Sequence, residues 1–78
     1  MSQTIAVESS VEKNGRVRIR RIKIDERWLA VEQGRQWVDE IGRHVLIIVP
    51  GGNVQEILLS SHSLNWELVS KRGSAQIV

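Results

Sequence analysis

Cysteine is missing from this chain of 78 residues, and so are phenylalanine and tyrosine. Without thiols, neither a disulfide nor a thiolate metal site can reinforce the core, and the composition suits a reducing compartment. The two histidines, His44 and His62, are too widely separated in sequence to make a metal-binding motif, so no metal and no cofactor is expected. No segment approaches the run of about 18 apolar residues that crosses a bilayer. The opening stretch, MSQTIAVESSVEKNG, has neither the basic start nor the apolar run of a secretory signal. A soluble, cytoplasmic protein without membrane contact is the expectation.

The residues that are present favour strands. Val and Ile number 19 while Leu and Ala together number 9, and β-branched side chains suit a pleated surface better than a helix. The length leaves room for one domain with one small core. A lone core of this size seldom supplies more than about 3 to 5 kcal/mol, so extra burial through a homo-oligomer or a partner protein is expected.

Residues 1–13 are polar and weakly periodic and are read as a flexible N-terminal tail, with residues 14–78 forming a single small β domain. The segment HVLIIVPGGNVQEILLS reads as a hairpin. Two apolar runs flank a loop with two glycines and an asparagine, and Pro50 ends the first strand without needing a ladder donor. A phosphate-cradling loop is disfavoured there, since the lysine and the following helix of such a loop are absent. Residues 26–41 admit two readings. Trp28, Val31, Val38 and Ile41 fall near helical spacing, which would make the fold α+β, whereas Gly34 and the segment WVDEIGRHV suit two strands joined by a turn. The preferred fold is mainly β: a small antiparallel barrel or sandwich of five or six strands.

One stretch stands out by charge. GRVRIRRIKI, residues 15–24, holds Arg16, Arg18, Arg20, Arg21 and Lys23 among Val17, Ile19, Ile22 and Ile24, with no acid. The apolar residues change phase between Ile19 and Ile22, so a β-bulge at Arg20 and Arg21 is needed to keep them on one face. With the bulge, all five cations face solvent together. Residues 13–23 hold 6 of the 11 basic residues and none of the 9 acids. Such a stripe suits phosphate contacts; equally, it suits an edge strand paired with acids of another strand or subunit.

Trp28, Trp37 and Trp66 are the only aromatic residues and are expected to fill the core. Trp28, five residues past Lys23, is the one placed to serve instead as a stacking platform beside the cations. His44 begins an apolar strand and is read as a ring at its rim, while His62 lies in a polar SSHS turn; Asp39 and Glu40 read as solvated turn acids. An enzyme would need a pocket joining residues distant in sequence, such as His44 with Glu56, and no catalytic constellation is legible. The function expected is a non-enzymatic binding or regulatory module that meets a protein or a subunit through its basic strand. The alternative is a nucleic-acid-binding small barrel that contacts phosphates. In either case the candidate residues are Arg16, Arg18, Arg20, Arg21, Lys23, Trp28 and Arg43, with Lys71 and Arg72 as extensions.

Overall fold

A computed structural model describes residues 2–69, which form eight strands and no helix. They are β1 (Ser2–Thr4), β2 (Ala6–Val11), β3 (Val17–Ile24), β4 (Arg27–Ala30), β5 (Glu32–Asp39), β6 (Gly42–Ile48), β7 (Val54–Ser60) and β8 (Trp66–Val69). The helical reading of residues 26–41 is therefore overturned. β4 and β5 occupy that segment, and burying Val31 between two strands wins over a helix that Gly34 would weaken. Among the described residues no helix is long and apolar enough to cross a membrane.

Every strand pairing is antiparallel, and the strands fall into two sheets. The larger runs β1-β8-β7-β6-β5 and the smaller β2-β3-β4. The two sheets are not closed into a barrel. The chain passes from one to the other at two short breaks, Ile5 between β1 and β2 and Val31 between β4 and β5. Both breaks carry apolar side chains into the shared interior: Ile5 is buried and Val31 packs against the core.

Residues 1–13, read as a tail, instead supply β1 and β2. Ser2 to Thr4 pair with β8 and Ala6 to Val11 with β3. Single-sequence periodicity misses them because, over the described side chains of 3–13, burial falls only on Ile5 and partly on Val7, too few residues to show a pattern. The expected hairpin at Pro50 is present, with Ile48 opposite Val54, and Val49 accepting from Gly52. The core comprises Ile5, Val17, Ile19, Ile22, Val45, Ile47 and Ile57, with Trp66 and Leu68 packed against it. Trp28 and Trp37, expected inside, are not part of it. Trp28 is 44% exposed and Trp37 is half-buried away from the interior.

Candidate functional site

Alternation places Val17, Ile19 and Ile22 in the core and turns Arg16, Arg18, Arg20 and Arg21 to solvent. The phase change is absorbed as the sequence requires. Glu8 lies opposite Arg21 and Ser9 opposite Ile19, which leaves Arg20 as the extra, bulged residue. Directly opposed residues share a face of a sheet. Lys23 opposes Trp28 on β4, and Arg21 opposes Ala30, so the exposed indole joins the cations on the outer face of the small sheet. The Arg21 guanidinium lies 5.1 Å from the Trp28 ring centroid, a cation–π distance.

β2 changes the electrostatics of this face. Glu8 takes a two-point contact from Arg21, with Nε and Nη2 each 3.1 Å from a carboxylate oxygen. Those hydrogen bonds hold the Glu8 carboxyl below its ordinary pKa. Arg18 lies 3.7 Å from Glu12, and Lys23 lies 3.7 Å from Glu26. Arg16 and Arg20 form no ion pair among the described residues. The acid-free stripe of the sequence is thus a mixed surface in the fold. Glu8 and Glu12 belong to the segment read as a tail, 13 residues from Arg21 in the case of Glu8, and no local signal pairs them.

Arg43 is not brought to this face. It lies on β6 of the larger sheet, opposite Val38 and Leu59, and donates to Gln36 Oε1 at 2.7 Å. Gln36 in turn serves β3. Beyond the reach of β4, the backbone of Val17 and Ile19 has no strand on one side, and two side-chain amides from β5 fill in. Ile19 N–H donates to Gln33 Oε1 at 2.7 Å, and Val17 C=O accepts from Gln33 Nε2 at 2.8 Å and from Gln36 Nε2 at 2.9 Å. An open cleft of about 620 Å³ borders this junction, lined in part by Arg16, Arg18, Glu32 and Gln33. Lys71 and Arg72 lie outside the described residues.

A second cluster lies on the outer face of the larger sheet. His44, read as a rim ring, is 6% exposed and its two ring nitrogens are both engaged. Nδ1 lies 2.7 Å from Glu56 Oε2 on β7, and Nε2 lies 2.8 Å from Asp39 Oδ2 at the end of β5. Two carboxylate acceptors are satisfied together only by the doubly protonated imidazolium. Its pKa is raised: burial pulls it down, and the hydrogen bonds that the ring donates to Glu56 and Asp39 outweigh that. Asp39 is held low, chiefly by the His44 hydrogen bond, and its other oxygen accepts from Ile41 and Gly42 N–H. Trp37 stacks on the ring at 5.0 Å and 3°.

Asp39 is the exposed turn acid that the sequence suggested, capping the Ile41 and Gly42 N–H groups. What no local signal gives is its second partner: the turn returns β6 so that His44 lies beside Asp39, while β7 brings Glu56 to the other side. The joining of His44 to Glu56 that an enzyme would need is present. Even so, both ring nitrogens are occupied by fixed carboxylates and one ring face by Trp37, and none of these residues lines the cleft beside β3. Ser60 of the SSHS turn is also structural: its buried Oγ accepts from the backbone N–H of His62 and Ser63. Comparison of the chain with family models, with curated proteins and with solved structures finds no match.

Proposed function

We propose that this protein is a non-enzymatic binding module whose docking surface is the outer face of β2, β3 and β4, and whose partner is a protein that presents carboxylates around an apolar recess. The observation that carries this reading is the exposed Trp28, set opposite Lys23 and beneath Arg21 on one face. Tryptophan and arginine dominate protein interfaces because they combine large apolar contact with directed charge. The local carboxylates support a protein partner over a polyanion. Glu8, Glu12 and Glu26 offset three of the five cations, which weakens the phosphate term while leaving Arg16 and Arg20 for specific pairing. We read the two sheets around their shared core as a small sandwich, a form that holds such a face rigid.

A second reading rests on the same indole. A single-stranded nucleic acid could stack a base on Trp28 while Arg16 and Arg20 take phosphates, giving little base specificity.

Fluorescence anisotropy separates the two. Acidic peptides that carry an aromatic or aliphatic anchor, selected by display against the protein, are titrated beside labelled single-stranded oligonucleotides over a salt series. Peptide binding that is lost in both Trp28→Ala and Arg20→Glu supports the protein partner. Oligonucleotide binding that weakens steeply with salt and needs Trp28 supports the second reading. Absence of both at low salt refutes the assignment of this face.

A further inference from the structure

Among the described residues, four strand edges bound the two sheets, and three of them are guarded. β1 offers 3 residues and β4 offers 4, too short to template another strand. β5 carries an irregular register between Gln33 and Gln36 and turns those two amides onto β3. β2 is longer, and its one charge, Glu8, is already held by Arg21. Its 6 residues, AVESSV, include no proline, lysine or arginine, and the bulged residue opposite Glu8 belongs to β3. Among the described residues, β3 is the only strand that pairs with β2.

The backbone groups on the open side follow from alternation. Ile5 N–H donates to Trp66 on the β8 side, and Glu12 N–H donates to Arg16 on the β3 side. Along the strand between them, even-numbered residues therefore address β3, and Val7, Ser9 and Val11 aim N–H and C=O at the free edge. Val11 is 73% exposed although it sits opposite the buried Val17. An apolar side chain is thus left uncovered where backbone donors and acceptors are open.

We propose that this edge pairs with the same edge of a second copy of the chain, antiparallel, about a two-fold axis at Ser9. Two symmetric registers keep inward and outward side chains on their own faces with the longest overlap. An axis at Glu8 sets that carboxylate directly against the partner's Glu8, a destabilising like-charge pair. An axis at Ser9 avoids it. Ser9 then faces the partner's Ser9, Glu8 faces the partner's Ser10, and Val7 covers the partner's Val11. The outward groups of Val7, Ser9 and Val11 all fall in hydrogen-bonded pairs. β2, β3 and β4 of both copies become one continuous sheet, with both Trp28 side chains and both basic stripes on the same side. A partner with two matching sites would then gain avidity from the linkage.

Light scattering and sedimentation over a concentration series test this on the whole chain. Wild type is expected at twice the chain mass, falling to the single-chain mass on dilution. Ser9→Pro removes the N–H at the two-fold axis, which the β3 ladder does not use, and proline is tolerated at such edge positions. It should keep the strand signal in circular dichroism while raising the dissociation constant at least about tenfold. Val11→Asp, at a site exposed in the single chain, should do the same by setting a carboxylate against the partner's Val7, and it decides the matter should the proline variant misfold. A wild-type mass that stays at one chain at every concentration, or a dimer unaffected in a folded variant, overturns the proposal.

Discussion

The Gln33 side chain takes the place of a neighbouring strand for Ile19: its Oε1 accepts the Ile19 N–H at 2.7 Å, while its Nε2 returns a bond to Val17 C=O. Both bonds are part-buried and border the open cleft, so water can replace them only in part. Replacing Gln33 by Leu should cost about 1 kcal/mol. Urea denaturation measures that loss, and hydrogen exchange at the Ile19 amide should accelerate with it. Unchanged Ile19 protection in a folded Gln33→Leu protein would show that the amide bond is not formed in solution.

The clamp on His44 gives stability a pH dependence of predictable sign. His44 has a raised pKa when folded, so its contribution is complete below the pKa of an unfolded imidazole and is lost as pH rises through the folded value. Asp39 works in the other sense. Its pKa is lowered, so its contribution is present above the unfolded carboxylate value and lost as pH falls through the folded one. Glu56 and Asp39 face the ring directly, Trp37 covers it, and Arg35 lies on the Trp37 ring at 5.7 Å. Denaturation midpoints taken from about pH 5 to about pH 9 should fall toward the alkaline end in wild type and much less in His44→Gln. An NMR titration of the ring should give a midpoint above roughly 6.5. Equal slopes in the two proteins would mean that another group carries the dependence.

Core and surface residues should separate cleanly under alanine substitution. Ile22 and Ile47 are fully buried between the sheets, and truncating either should cost about 2 to 5 kcal/mol through lost transfer energy and the cavity left behind. Trp28→Ala, despite removing a larger side chain, should change stability by about 0.5 kcal/mol or less. Chemical denaturation of the three variants checks the order. A large loss for Trp28→Ala would return the indole to the core and remove the anchor from the proposed docking face.

Among the described glycines, Gly42 is the one whose substitution should matter most. It opens β6 at φ +147, and a Cβ there would overlap the Leu59 carbonyl on β7. That obstacle is backbone, which cannot rotate away. Gly51, in the Pro50 loop, also has positive φ, but a Cβ at that position meets open space. Gly42→Ala should therefore destabilise by about 2 kcal/mol or more, and Gly51→Ala by about 1 kcal/mol. Similar thermal midpoints for the two variants would contradict the close approach of β6 to β7.

Residues adjacent in sequence were the legible ones. The bulge at Arg20 could be read because a strand's two-residue period admits no other way to keep Val17, Ile19, Ile22 and Ile24 on one side. The hairpin at Pro50 was legible for a similar reason, since its turn chemistry and both apolar runs lie within one short segment. Trp28 was harder. Its bulk argued for the interior, while its outward direction depends on pairing with Lys23, a register that the four residues of β4 do not encode alone.

By itself, then, the sequence favoured a mainly β protein while leaving residues 26–41 open, and it determined the buried row of β3 and the solvent-facing cations, because these depend on local period, turn residues and the cost of burying charge. Tertiary structure alone decided what stands beside those cations. Glu8 and Glu12 come from the supposed tail, Gln33 and Gln36 complete the edge of β3, and Asp39 and Glu56 meet on His44. Each of these contacts joins different strands, and its geometry is set by register between them. Register follows from packing the whole apolar interior at once, so no single stretch of the chain carries it.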